Sequence, residues 1–324
     1  MSPLVLLLPM VAGSYTKTGS SMSLASATHP SYQLGLPGVG TSGEASRIGV
    51  PVLAGPEVET LFAPGRVIER VGAFSVFESG EWRLGAATLP VDADLEEATC
   101  RLYRDLFSAT ASWHLARVWN YVPAINQAGP GGLENYRIFC RGRSLAFEGH
   151  HGRGYKALLP AASAVGCKTR QLTVVFAARR SPPRHVENPL QIPAYDYPAD
   201  YGPRAPSFAR ATVVGSPSAP ALFVSGTAAI RGHVTVAPGD TLRQLETTVE
   251  NLFTISEACG LGRSLTVPGA ARRHLKVYLR FPDDLPAVRA KLERVLLRTG
   301  DVVSYLHADI CREALNVEIE LTAV

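Results

Sequence analysis

Val317, Ile319, Leu321 and Ala323 alternate with Glu318, Glu320 and Thr322 over the last stretch of the chain. A period of two marks a strand with one apolar and one polar face. A closing strand obliges the residues before it to supply a sheet. Its polar face carries two carboxylates, and whatever covers that face decides their chemistry. On an edge strand they are ordinary solvated side chains, the simpler reading of the alternation alone. Under a second layer, burial disfavours the charged form and raises their proton affinity. A carboxylic acid that keeps its proton near neutral pH is what general-acid chemistry needs. Glu318, flanked by Val317 and Ile319 and seven residues after Cys311, is the candidate.

The preceding residues do supply a sheet. Predicted strands at 221–226 and 229–236 lead to a helix capped by Asp240. Its apolar positions, Leu242, Leu245, Val249, Leu252, Ile255 and Cys259, fall mostly three or four apart, and Gly260 closes it. A strand at 274–281, a second helix with Leu285, Val288, Leu292 and Leu296 on one face, and strands at 302–311 and 316–324 complete the pattern. The order ββαβαββ predicts an α+β layer with helices packed on one sheet. The first half repeats it more loosely, with strands at 67–77 and 82–89, a helix at 95–110, strands at 115–122 and 136–147, a short helical or loop stretch at 154–164, and a strand at 171–178. Two topologically similar halves are expected, residues 44–180 and 208–324, with 181–207 as the connection. Seven prolines between 179 and 207 exclude regular structure there. Within that stretch Tyr201-Gly202-Pro203-Arg204 offers a phenol and a guanidinium on a rigid turn. That pair suits a carboxylate ligand, and a plain interdomain linker is the alternative.

At 324 residues, two domains of ordinary size are expected. The net charge of +4 is mild, and no dense Lys/Arg run with interleaved aromatics occurs, so a nucleic-acid partner is not expected. Five cysteines, odd in number, widely spaced and without a CxxC, read as reduced thiols of a cytoplasmic protein. The apolar run at 4–12 is too short to cross a bilayer and lacks a basic flank, so no membrane association is expected. Residues 1–43, rich in Ser, Gly, Thr and Pro, read as a disordered leader. Their Gly38-Val39-Gly40-Thr41-Ser42-Gly43 matches GxGxxG by chance, with no strand before it and no helix after it. His307, Asp309 and Cys311 fall on one strand face without a fourth ligand at standard spacing. No Walker motif, HExxH or GxSxG occurs. Neither a metal nor an organic cofactor is expected. His150 and His151 read as solvated residues of a Gly-rich turn.

Several stretches carry a resemblance. Ser225-Gly226-Thr227, Gly239-Asp240, Gln244, Asn251-Leu252 and Val317-Glu318-Ile319-Glu320 resemble the Rid (YjgF) fold, also described as chorismate mutase-like. A longer series resembles the chorismatase family. It runs through Trp119 to Asn126, Gly132 to Arg143, Pro160 to Gly166, Glu187-Asn188-Pro189, Tyr201 to Ala211 and the Cys311…Glu318 pair. The resemblance implies a pseudo-dimer of two Rid-like halves in one chain, hence a monomer. It also implies an enzyme that cleaves the enolpyruvyl side chain of chorismate and releases pyruvate.

By that resemblance Glu318 protonates the terminal methylene carbon of the enol ether. Chorismate carries two carboxylates, so cationic and hydroxyl donors are needed. Tyr136, Arg137, Arg143, Tyr201 and Arg204 are the candidates, with Thr227 and Ala228 at the pocket and Arg210 a weaker choice. Cys311 resembles the branch in which the ring hydroxyl displaces the side chain and the ring aromatises to 3-hydroxybenzoate, with 4-hydroxybenzoate a second product in some relatives. In the hydrolytic branch, which yields a dihydroxycyclohexadiene carboxylate, a small apolar residue stands there. Ala228 points away from the aromatising branch, where Gly occurs in this region. A Rid-type imine deaminase and a non-catalytic carboxylate-binding protein are the remaining readings. Cys311 and Glu318, an odd number of residues apart, can share a site only if the chain turns between 313 and 316.

Overall fold

A computed structural model of the chain describes residues 31–34, 47–59, 67–91, 94–215 and 220–324. The first strands are β1 (Ser31–Leu34), β2 (Arg47–Ala54) and β3 (Val58–Glu59). The first half follows with β4 (Val67–Val71), β5 (Phe74–Ser79), β6 (Trp82–Pro90), α1 (Leu95–Ala109), β7 (His114–Pro123), α2 (Asn135–His151), β8 (Ala161–Cys167) and β9 (Gln171–Arg179). The second half holds β10 (Arg184–Val186), β11 (Ala211–Val214), β12 (Ala221–Ala228), the short β13 (Ile230–Arg231) and β14 (Val234–Thr235), α3 (Thr241–Ala258), β15 (Arg273–Leu279), α4 (Leu285–Val295), β16 (Val302–His307) and β17 (Val317–Ala323). Of the expected leader, 1–43, only 31–34 lies within the described residues, and it forms β1. The chance GxGxxG lies outside them.

The two sheets have one topology. The first runs β4-β5-β6-β9-β7-β8, and the core of the second runs β10-β11-β12-β17-β15-β16. In both, the third and fifth strands flank the last strand antiparallel, and the fifth and sixth strands pair in parallel. This is the duplication expected from the order of elements. The second sheet is extended by β2, β1 and β3, with β2 pairing β16. So residues 47–54, which in sequence adjoin the first half, hydrogen-bond to the second.

Four layers result. Leu102, Leu106 and Phe107 of α1 and Phe139 and Phe147 of α2 pack on the outer face of the first sheet. Leu245, Leu252, Val288 and Leu292 of α3 and α4 pack on the outer face of the second. Trp82, Trp119, Val175, Phe223 and Leu306 from the inner faces pack the sheets against each other. Each such large side chain contributes roughly 1.5–3 kcal/mol on burial. Asp94 caps α1 by accepting from the Glu96 and Glu97 amides at 2.9 and 3.1 Å, and Asp240 caps α3 through the Arg243 amide at 3.0 Å.

Three local expectations are corrected. The strand expected at 136–147 is helix α2. Ile138, Phe139, Gly142, Arg143, Ala146 and Phe147 are its buried face, at spacings of three and four. A buried arginine and a glycine on that face break the apolar signal. Gly142 lets α2 approach α1, since a Cβ there would lie 2.7 Å from the Glu96 carbonyl oxygen. The stretch 154–164, expected to be helical or loop, gives way at 161 to strand β8, whose small Ala161, Ala162 and Ala164 carry no strand propensity of their own. Its backbone is held from the second half, where the Ala161 and Ala162 amides donate to Thr212 Oγ1 and Ser225 Oγ, both at 2.8 Å. His150 and His151 are exposed as expected, but they close α2 and not a turn, and His150 stacks on Phe107 at 4.6 Å between ring centroids.

Candidate active site

β17 is not an edge strand. It lies between β12 and β15, and its polar face is turned to the first sheet, so Glu318 and Glu320 are each only 3% exposed. This overturns the simpler reading of the alternation. A cavity of about 570 Å³ opens between the halves over Glu318, within the range of small-molecule sites. Asn126, Glu134, Tyr136 and Arg137 from α2 and the loop before it form one wall. Gly226 and Ala228 of β12, Glu318 of β17 and the turn at 311–314 form the other. Tyr197, Tyr201 and Pro206 of the proline-rich connection, with Phe208 and Arg210 just after it, complete the lining. A narrow inner extension of about 20 Å³ continues past Glu318 and Cys311 toward Cys140, Arg143 and Ser163.

The local structure explains why Glu318 stands free. The β12–β17 ladder shifts register between Val224 and Thr227, and Gly226 sits in that irregularity. A Cβ on Gly226 would lie 2.1 Å from Glu318 Oε1, so only glycine leaves the carboxyl its room. Glu318 Oε1 has no hydrogen-bond partner among the described residues. Burial first, then the neighbouring Glu320 charge, push the Glu318 pKa up to about 8 against the opposing pull of Arg117 and Arg210. Glu318 is therefore a neutral acid at pH 7, aimed into a cavity.

Cys311 lies beyond the end of β16, in the turn that leads to β17, and not on a strand as expected. The turn brings it beside Glu318, and both line the cavity and its inner extension. Burial, followed by the Glu318 charge, pushes its thiol up to about 12. It is therefore a neutral group at any working pH, not a thiolate nucleophile.

The other sequence candidates divide. Tyr136, Arg137, Tyr201 and Ala228 line the cavity, and Arg143 reaches only its inner end. Burial holds the Tyr136 phenol well above its usual range. Arg143 is 2% exposed, lies over the Tyr103 and Phe147 rings at 5.3 and 5.8 Å, and has Nε and Nη2 unpartnered among the described residues. Arg204 is turned outward onto Glu148 at 2.5 Å and does not line the cavity. Thr227 is also absent from the lining; its hydroxyl donates to the Ser225 carbonyl at 2.8 Å. Alternation along β12 presents its neighbours Gly226 and Ala228 instead.

Two further arginines line the cavity. Arg210, ranked low from the sequence, donates to Tyr197 Oη at 2.8 Å and lies over Phe208 at 5.0 Å. Arg312, passed over, lies 4.3 Å over the Tyr201 ring and donates to the His233 carbonyl at 2.8 Å. Its place next to Cys311 in the turn was the available signal. Asp309, one of the three residues weighed as metal ligands, is paired with Arg280 at 2.6 Å.

Fold and site together define an enzyme built from two α+β halves of one topology, with a protonated carboxylic acid at the floor of a cavity walled by arginines and tyrosines. Residues 61–178 match the family model "Chorismatase FkbO/Hyg5-like, N-terminal". The chain belongs to the chorismatase family. It is 43% identical to a chorismatase of Streptomyces hygroscopicus over 69% of this chain and 66% of that protein. It is 38% identical to a 3-hydroxybenzoate synthase of the same organism over 74% of this chain and 73% of that one. A crystal structure of a chorismatase superposes with a TM-score of 0.71 at 36% identity, over 78% of this chain and 77% of that one. No helix among the described residues is long and apolar enough to cross a membrane.

Proposed function

We propose that the protein cleaves chorismate to pyruvate and 3-hydroxybenzoate. The observation that carries this reading is the buried Glu318 lining the cavity, its Oε1 without a hydrogen-bond partner among the described residues, with the Cys311 thiol beside it. Glu318 gives its proton to the methylene carbon of the enol ether, leaving an oxocarbenium centre on the side chain. Arg137, Arg210 and Arg312, with Tyr136 and Tyr201, offer the donors that two substrate carboxylates require. Displacement by the ring hydroxyl and loss of a ring proton give the hydroxybenzoate and return a proton to the site. The two products together contain every atom of chorismate, so no water is consumed. The relative named 3-hydroxybenzoate synthase supports this branch. Ala228 in the cavity wall keeps the hydrolytic branch as the second reading.

Cys311 is proposed to occupy, as a neutral group, the space a hydrolytic water would need next to Glu318. Cys311→Ala is expected to keep pyruvate release within about tenfold and to make the dihydroxycyclohexadiene carboxylate the major ring product. Chromatography of the ring products from wild type and variant checks this, and an unchanged 3-hydroxybenzoate yield removes Cys311 from the product decision. The wild-type rate should be level at neutral pH and fall as pH rises through about 8, because the active form of Glu318 is the protonated one. A pH–rate profile with no alkaline limb below pH 10 would contradict that assignment.

A further inference from the structure

Two residues beyond Glu318, on the same face of β17, Glu320 is held in a cage of cations. Its Oε2 accepts from Arg117 Nη2 at 2.7 Å. Its Oε1 accepts from Trp119 Nε1 at 2.9 Å and lies 3.1 Å from Lys276 Nζ. Arg117 Nη2 also donates to Ser163 Oγ at 2.9 Å. Arg117, Trp119, Lys276 and Glu320 are all buried between the sheets, and none of the four lines the cavity, while Ser163 lines only its inner extension. Glu320 and its three partners therefore stand outside the cavity lining.

A buried ionic cluster is poor evidence of stabilisation, because desolvation consumes most of the Coulombic gain and apolar residues fill such a site as well or better. Its position points to another use. Successive same-face residues of a strand are about 6.6 Å apart, so a fixed charge on Glu320 acts on Glu318 through a dry interior, where water screens little. Burial pushes Glu320 up, but Lys276 and Arg117 outweigh it and hold its carboxyl below the usual range. The two carboxylates of one strand face are thus driven apart, one toward the ionised and one toward the neutral form.

We propose that Glu320 is a positioning residue: clamped as an anion by Arg117, Lys276 and Trp119, it repels negative charge at Glu318 and reserves that residue for the proton-donating form. The inference rests on the reading of Glu318 as the acid. The charged and titratable groups that also face Glu318 are Arg117 from β7, Tyr136, Cys140 and Arg143 from α2, Tyr278 from β15, Arg210 before β11, and Cys311 and Arg312 in the turn. Arg117 and Arg210 act against Glu320. The sign at Glu318 is therefore set by a balance that substitution can tip either way.

The test is a titration of Glu318 itself, followed by ¹³C NMR in ligand-free protein labelled at glutamate side-chain carboxyls. The resonance is assigned by its loss in Glu318→Gln. In wild type it should titrate near 8. Glu320→Gln should lower that midpoint by about one unit or more, Glu320→Asp should leave it near wild type, and Arg117→Met should raise it. The alkaline limb of turnover should move with the midpoint, so that above both limbs Glu320→Gln falls about tenfold further below its own acid plateau than wild type falls below its own. A purely structural cluster would slow the variants without moving either the midpoint or the limb, and that result would overturn the proposal. If Glu320→Gln does not fold, Glu320→Met, which removes the same charge with an apolar side chain of similar length, decides: its midpoint should fall likewise, and an unmoved midpoint there overturns the proposal as well. Should wild type release no pyruvate, the carboxyl titration still decides this inference, and only the assigned reaction falls.

Discussion

Glu318→Gln should reduce pyruvate release from chorismate by roughly 10²- to 10⁴-fold, the usual contribution of a positioned general acid, while substrate affinity stays within a few-fold of wild type. The amide has nearly the shape of the protonated carboxyl, so the β12–β17–β15 ladder has no reason to change. What is lost is the proton itself. Neither Tyr136 nor Cys311 in the cavity wall replaces it, because both are held well above their usual ranges and hold their protons too tightly. The cost should fall on kcat and not on binding, the signature of an interaction made only in the transition state. Steady-state rates paired with calorimetric titration of chorismate check this. Weakened binding at a preserved kcat would make Glu318 a substrate-binding group instead.

Gly226→Ala should fold and be nearly inactive. The new methyl group would meet the carboxyl end of Glu318, with Oε1 at 2.1 Å and Cδ at 2.6 Å, and stand 3.2 Å from Ser163 Cβ. The end of a flexible side chain can move aside, so the stability cost should stay within the 1–3 kcal/mol usual for overpacking, about 1 kcal/mol being expected. The displaced group, however, is the acid. A shift near 1 Å in a reacting group can cost about 10²-fold in rate, and that is the loss expected here. Thermal denaturation and turnover measured on the same preparation separate the two effects. An alanine variant with full activity would show that the carboxyl does not need the space that Gly226 leaves.

The second half was legible in the sequence because its helices are amphipathic at regular spacing and α3 begins at the Asp240 cap. The first half was less so. The buried Arg143 and Gly142 disguised the apolar face of α2, and the alanines of β8 have no strand signal until tertiary pairing supplies one. Alternation gave the two faces of β17, but no local pattern says what covers a face. That Glu318 is buried depends on a sheet more than a hundred residues away in sequence. The same limit applies to the cavity. Tyr136, Arg137, Tyr201, Cys311 and Glu318 could be picked by residue type and motif, and they line it. Arg204, chosen the same way, faces Glu148. Whether an arginine on a turn points in or out depends on its neighbours in space, and Arg210 and Arg312 take the inward positions.

Glu318 is proposed to cleave chorismate by protonating its enol ether. The measurement that tests it most directly is pyruvate release from chorismate at neutral pH by wild type and Glu318→Gln, with the ring products resolved from the same reactions. Wild type should release pyruvate and 3-hydroxybenzoate in equal amounts, and the variant only the spontaneous background. Wild type without pyruvate above that background, or a variant that matches wild type, would contradict it.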